Sequence, residues 1–174
     1  MAGEKTDLLR KLKALAERGE AGERENARTI LAGLMEKYGV EEADLQDDAL
    51  EESCFSYLGP IERRLLVQVI FHVTNGDRRV YAYKHGKGSR STICCMCTKA
   101  EAVQIGVEYD FYRELWTQEL DLFFRAFVNK HSIFSDRPTG DDPGVSHRDY
   151  LRMAAMMAGL QDRSMQRMLE GGLT

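Results

Sequence analysis

Residues 98–130 carry the longest helical pattern in the chain. Large apolar residues recur three or four positions apart, and the series comprises Ile105, Tyr109, Tyr112, Trp116, Leu120, Phe123 and Phe127. This spacing places them on one side of an α-helix. The preceding T-K-A-E, residues 98–101, fits a capping box in which Thr98 caps the helix and Glu101 reaches back. We therefore expect one long helix whose aromatic stripe, including Trp116, is buried in the core.

A β-hairpin is predicted immediately before this helix. Residues 79–84, RVYAYK, alternate as a strand does, and residues 91–97, STICCMC, form the returning strand. The six residues between them, HGKGSR, make a glycine-rich turn. Phosphate-binding loops also contain glycines and a lysine, but they join a strand to a helix rather than two strands. A further helix begins at Gly59-Pro60 and ends at Asn75-Gly76.

The N-terminal part of the chain predicts two helices joined by a short connection. They cover residues 7–17 and about 23–38, the second ending at Gly39, and together they form an αα-hairpin. Residues 41–52, EEADLQDDALEE, hold seven acidic groups and no basic one. A block of like charge is typical of a solvated linker.

The pattern closes with a helix over residues 147–160 and a short turn over 164–170. The predicted fold class is α+β and mainly helical: an N-terminal αα-hairpin, a helix, a β-hairpin, the long aromatic helix and a C-terminal helix. We expect a helical hairpin over residues 1–40, an acidic linker over 41–58 and an α-β-β-α-α domain over 59–174. A chain of 174 residues can bury a core without a metal or a disulfide.

Export and membrane insertion are not predicted. No apolar run approaches the roughly 20 residues that span a bilayer. The N-terminus, MAGEKTDLLRKLK, lacks the apolar region of a secretory signal. We therefore expect a cytoplasmic protein that does not bind membranes, and we expect its four cysteines to be reduced thiols.

Three of the cysteines, Cys94, Cys95 and Cys97, fall within four residues. On a strand, Cys95 and Cys97 point to one face and Cys94 points to the other, so the three thiolates cannot converge on one metal ion. A structural zinc site also needs a second ligand pair, which the sequence lacks. We interpret the cysteines as strand packing, and metal binding by them remains an alternative.

No catalytic motif is recognised, and no catalytic residue, metal ligand or cofactor is assigned. The sequence lacks H-E-x-x-H, G-x-S-x-G and the phosphate-binding G-x-x-x-x-G-K-[ST]. His131 and His147 flank a loop that holds three aspartates, and histidine with carboxylate can form a hydrolytic metal site. A metal-dependent hydrolase is therefore an alternative, in which the loop would supply Asp136, Asp141 and Asp142.

The basic charge is concentrated in the middle of an otherwise acidic chain. Residues 60–99 have a net charge of +6, whereas residues 1–59 have −6 and residues 100–174 have −4. Such asymmetry predicts a surface for nucleic acid or for an acidic protein. The predicted contact residues, which we call the basic set, are Arg63, Arg64, Arg78, Arg79, Lys84, Lys87 and Arg90. Tyr81 and Tyr83 share a strand face and could add base stacking.

The N-terminal helices resemble a short domain of unknown function found in bacterial and phage proteins. Members of that family run as a leucine-rich helix, a variable loop and then E-A-x-x-A-x-x-x-A-x-x-L-x-x-K-Y-x-I. The matching positions are Glu25, Ala27, Leu34, Lys37, Tyr38 and Val40, whereas Ile30 and Leu31 stand where alanine is common. The later E-R-R-L, residues 62–65, fits the companion region of such proteins. The resemblance implies a phage or prophage accessory protein and supplies no active site.

Three functions follow from these patterns. The first is a non-enzymatic accessory protein that binds nucleic acid or a host nucleoprotein through the basic hairpin. The second keeps the same fold but has a protein target, as an inhibitor of a host defence system of the anti-CRISPR kind does. The third is the metal-dependent hydrolase. The sequence does not predict the oligomeric state.

Overall fold

The structure is a computed structural model that describes residues 8–46, 48–83, 91–133 and 145–161. The described helices are α1 (Leu8–Arg18), α2 (Ala21–Tyr38), α3 (Gly59–Val73), α4 (Lys99–Lys130) and α5 (His147–Gly159), with a short 3-10 helix at Ala43–Gln46. The strands are β1 (Glu51–Tyr57), β2 (Val80–Tyr83) and β3 (Ser91–Cys97). The predicted mainly helical α+β class is confirmed. The predicted turn over residues 164–170 lies outside the described residues.

The three strands form one antiparallel sheet with the order β1-β3-β2. The predicted β2–β3 pairing is confirmed, but β1 occupies residues that we assigned to the acidic linker 41–58. Its first residues, Glu51 and Glu52, extend the acidic run and hide the alternation that follows. Pairing with β3 along its whole length, from Glu51 opposite Cys97 to Tyr57 opposite Ser91, stabilises this strand.

One face of the sheet packs against α3 and the first half of α4. Ile93, Cys95 and Cys97 of β3 are buried there. They meet an apolar side of α3 and the buried residues Ile105 and Tyr109 of α4. Cys95 and Cys97 therefore pack as the predicted alternation requires, on the core face of the central strand.

The predicted capping box begins α4 directly after β3. The Thr98 backbone N–H donates to Glu101 Oε2 at 2.8 Å, and the Glu101 N–H donates to Thr98 Oγ1 at 3.1 Å. The other side of α4 packs against the αα-hairpin, where Leu9, Val40 and Val103 form a second buried cluster. The first half of α4 is therefore covered on two sides, which makes it the centre of this part of the molecule.

The chain divides into two compact units, residues 1–113 and 114–174. In the second unit, Leu122 and Ala126 of α4 pack against Met153 of α5. Ser146 caps α5, because its Oγ accepts the Asp149 backbone N–H at 3.1 Å. Within the described ranges, no helix is long and apolar enough to cross a lipid bilayer.

The expected burial of the whole aromatic stripe of α4 is wrong. Ile105 and Tyr109 are buried, but five later members keep about two-fifths of their surface exposed: Tyr112, Trp116, Leu120, Phe123 and Phe127. The helix has 32 residues; Ile105 and Tyr109 belong to the core of residues 1–113, whereas Trp116 and the later members belong to the second unit, residues 114–174. Helical spacing predicts that one side of the helix packs against another element, but it does not identify that element.

Candidate functional site

The sheet topology separates the basic set into two groups. Residues 84–90 leave β2 after Tyr83 and enter β3 at Ser91, and Ser91 pairs with Tyr57 at the end of β1. Because β1 leads into α3 there, Arg63 and Arg64 follow at this same end of the sheet. We call it the basic end and define it by Arg63 and Arg64; in the sequence, the segment 84–90 joins β2 to β3 between Tyr83 and Ser91. Lys84, Lys87 and Arg90 of that segment lie outside the described residues.

Arg78 and Arg79 lie at the opposite end of the sheet, before β2 begins. The Arg78 side chain is largely covered, and its Nη2 lies 3.5 Å from Glu101 Oε1. Glu101 is the acidic member of the capping box, so this ion pair links the residues before β2 to the first turn of α4. Arg79 is exposed. The structure therefore does not bring these two arginines together with Arg63 and Arg64.

Arg63 and Arg64 are both exposed, and neither makes an ion pair within the described part of the chain. The neighbouring carboxylate of Glu62 is occupied by other partners. Its Oε2 accepts the Leu58 backbone N–H at 2.7 Å and the Tyr109 hydroxyl at 3.1 Å. The pKa of Tyr109 is raised to about 12, mainly by burial and secondly by this hydrogen bond to Glu62. The start of α3 thus presents its two cations outward and directs its carboxylate inward.

The sheet face away from the core carries a disulfide between Cys54 and Cys94. These residues are direct cross-strand partners in β1 and β3, with their Cα atoms 4.1 Å apart. Our expectation of four reduced thiols is therefore wrong. The expectation rested on the predicted cytoplasmic location, where thiols are kept reduced, and not on the positions of the cysteines. Cys54 lies on β1, a strand that we did not predict from the sequence.

Tyr81 lies on the same face as the disulfide and is placed opposite Cys94. Its hydroxyl donates to Glu52 Oε1 at 2.6 Å. A carboxylate at this position repels phosphate, so this face is a poor platform for nucleic-acid bases. The structure describes the backbone of Tyr83, which we expected on the same face, but not its side chain.

The remaining thiols, Cys95 and Cys97, are completely buried. The hydrogen bond with Cys97 and burial raise the pKa of the Cys95 thiol. Among the described residues, no three histidine, cysteine or acidic side chains are grouped so that they could hold a metal ion. The His131 ring contacts the Phe127 ring in a tilted arrangement with centroids 4.5 Å apart, and His147 lies in α5. Asp136, Asp141 and Asp142 fall outside the described ranges.

A second surface, which the sequence analysis did not predict, lies on the second half of α4. We call it the α4 apolar face, and it consists of Trp116, Leu120, Phe123, Phe124 and Phe127. At 3.6 residues per turn these five side chains fall within an arc of about 100°, roughly a third of a turn from the side that packs on α5. A groove of about 620 Å³ lies over this face. Its periodicity was visible in the sequence, but only the structure shows that it is exposed.

A polar cleft of about 450 Å³ lies between α4 and α5 in the same unit. Its charged walls are ion pairs: Arg152 with Glu119 and Asp149, and Arg125 with Asp121. Charges that neutralise each other in this way give the cleft little attraction for a charged ligand. The basic end and the α4 apolar face are therefore the stronger candidates for binding surfaces.

Comparisons of the chain with protein-family models, with curated proteins and with solved structures found no match.

Proposed function

We propose that the protein is a non-enzymatic binding protein that contacts nucleic acid, or a host nucleoprotein, through its basic end. The observation that carries this proposal is the sheet topology. Tyr83 at the end of β2 and Ser91 at the start of β3 both lie at the end of the sheet where β1 leads into α3 and where Arg63 and Arg64 follow. In the sequence, Lys84, Lys87 and Arg90 fall between Tyr83 and Ser91. A phage-type accessory role in a bacterial host belongs to the same proposal and rests on the family resemblance.

The charges of Arg63 and Arg64 support this proposal. Both guanidinium groups are exposed, and within the described residues no carboxylate neutralises them. Lysine and arginine bind nucleic acid chiefly by neutralising phosphates and releasing counterions. Segment 60–99 has a net charge of +6 on a chain whose total is −4, and Arg63 and Arg64 are the members whose exposed charges at the basic end would attract an approaching polyanion.

The proposal predicts salt-dependent binding that depends on the first turns of α3. Fluorescence anisotropy with labelled double-stranded and single-stranded oligonucleotides should show affinity falling as salt rises. Each phosphate contact contributes about −0.9 to the slope of log K against log salt, so Arg63→Ala/Arg64→Ala should reduce the magnitude of the slope by about 2.

Arg79→Ala is the matched control for this measurement. Arg79 is exposed and belongs to the same basic segment, but it lies at the opposite end of the sheet. We expect this variant to keep the wild-type slope. Equal losses in the two variants, or no salt-dependent binding by the wild type, would contradict the proposal. In the second case, an acidic host protein that binds the wild type but not Arg63→Ala/Arg64→Ala would support the protein-target alternative.

A further inference from the structure

The α4 apolar face poses a question that the proposed function does not answer. Its five large side chains are each about two-fifths exposed or more, and Phe124 reaches 62%. Since an aromatic side chain buries roughly 150–250 Å², a face of this size offers on the order of 500 Å² of surface. Patches of this extent on soluble proteins are often functional.

We infer that this face binds a second copy of the same chain, forming a two-fold symmetric dimer through α4. Two such faces would bury on the order of 1,000 Å² in total, which is about the area that a specific interface needs. The inference goes beyond nucleic-acid binding and does not depend on it.

The distribution of charge favours a second copy over a partner of opposite charge. The five residues of the face carry no charge, and two acidic side chains of α4 near it are paired within the unit. Asp121 Oδ2 accepts from Arg125 Nε at 2.9 Å, and Glu119 pairs with Arg152. In a two-fold interface each charge near the axis meets its own image and is repelled, so a face without net charge suits self-association.

The order of the side chains along α4 also fits a copy of itself. Trp116, Leu120 and Phe124 follow one another at intervals of four, and Phe123 and Phe127 form a neighbouring row with the same interval. Rows of this kind form ridges, and two helices interlock at about −50° when both present ridges of the four-residue type. In a two-fold symmetric dimer both interface helices are α4, so both present the same four-residue ridges.

The test is the mass of the full chain in solution, measured by sedimentation equilibrium. Over roughly a hundredfold range of concentration, the average mass should rise from 19.8 kDa towards twice that value, since dimer formation follows mass action. Phe124→Glu should remain at 19.8 kDa at every concentration. We expect this variant to fold, because Phe124 is the most exposed member of the face.

Tyr150→Glu is the matched control for this test. Tyr150 lies on α5 in the same unit and is 64% exposed, and it is not part of the α4 apolar face. This variant should form dimers as the wild type does. A wild type that stays at 19.8 kDa overturns the inference, as does a folded Phe124→Glu that still forms dimers.

Fluorescence of the wild type gives a second measurement that needs no variant. Trp116 is the single tryptophan of the chain, and it lies on the face. Its emission should shift to shorter wavelength as the concentration rises and the dimer forms. Blue-shifted emission from a protein that remains monomeric would show that the chain itself covers the face, and would overturn the inference.

Discussion

At the scale of single residues, the disulfide between Cys54 and Cys94 should contribute strongly to stability. Their disulfide joins positions 40 residues apart. Closing a loop of that length removes conformational entropy from the unfolded chain. We therefore expect Cys54→Ser/Cys94→Ser to lower the free energy of unfolding by about 4 kcal/mol. Urea unfolding of the oxidised wild type and of the variant measures this difference.

A reducing agent provides the control for this prediction. The reduced wild type should unfold at nearly the same urea concentration as the double serine variant. Alkylation followed by mass spectrometry then checks which thiols are involved. In the oxidised protein, buried Cys95 and Cys97 should react with the alkylating agent only after unfolding. Cys54 and Cys94 should react only once their disulfide has been reduced. Equal midpoints with and without reductant would contradict the expected contribution of the disulfide.

The cysteines illustrate what alternation along a strand can predict. Within β3 it correctly places Cys95 and Cys97 on the core face and Cys94 on the other. The partner of Cys94 could not be predicted, because it belongs to a strand 40 residues earlier whose two leading glutamates suggest a linker. Pairing between distant strands depends on register, which a single sequence does not display.

Between elements, Tyr38 of α2 packs tightly against Gly106 of α4. A Cβ atom added to this buried glycine would lie 2.6 Å from Cε1 and from the hydroxyl oxygen of Tyr38. Alanine favours a helix by about 1 kcal/mol over glycine, but overpacking costs about 1–3 kcal/mol. We therefore expect Gly106→Ala to lower the free energy of unfolding by about 1 kcal/mol. Chemical denaturation measures the change.

A double-mutant cycle isolates the contact between α2 and α4. In a Tyr38→Ala background the obstruction is gone, so Gly106→Ala should raise the free energy of unfolding by about 1 kcal/mol. Gly33 in α2 is the control, since a Cβ there would meet nothing within 4 Å. Gly33→Ala should be stabilising in both backgrounds. A destabilising Gly106→Ala in the Tyr38→Ala protein would assign the cost to another contact.

The elements themselves were predicted more reliably than their surroundings. Local signals define α4, because Thr98 and Glu101 make the expected capping box and the apolar spacing extends to Phe127. Whether Trp116 is buried depends instead on which other part of the chain reaches it. Periodicity contains no information about that second element, so the burial of the distal stripe could not be predicted.

Across the whole molecule, stability should fall at acid pH because several carboxylates are paired with cations. The hydrogen bond from Lys99 lowers the pKa of Asp44 from its ordinary 3.8, with a further contribution from the Glu41 N–H. The hydrogen bond from Lys13 lowers the pKa of Glu42 from 4.5. A folded-state pKa below the unfolded value contributes stability above the unfolded value, and this contribution is lost as pH falls through the folded value. Urea unfolding at a series of pH values below 5 should show this loss.

Asp44→Asn tests the origin of this acid sensitivity. The variant should lose less stability than the wild type over the same pH range, because one of the titrating carboxylates is absent. Lys99→Met should behave in the same way, since Lys99 Nζ lies 2.8 Å from Asp44 Oδ1 and lowers its pKa. A wild-type pH profile in both variants would show that the Asp44–Lys99 pair does not contribute to it.

The basic set shows how far a site can be inferred at the scale of the molecule. Charge counting finds the segment 60–99, but it treats the segment as one surface. The strand order places Arg63 and Arg64 at one end of the sheet and Arg78 and Arg79 at the other. Which residues share a surface depends on the sheet topology, and the topology could not be complete while β1 was missing.

β3 continues through Thr98 directly into α4, so residues cannot be inserted or deleted at this junction without disturbing the packing of α4. Each residue added between Cys97 and Ile105 would rotate α4 by about 100° relative to the sheet. Val103 and Ile105, which point into different buried clusters, would both leave their places. Insertions and deletions in this segment should therefore be eliminated by selection. An eight-residue interval from Cys97 to Ile105 is the spacing by which divergent descendants of this gene could be recognised.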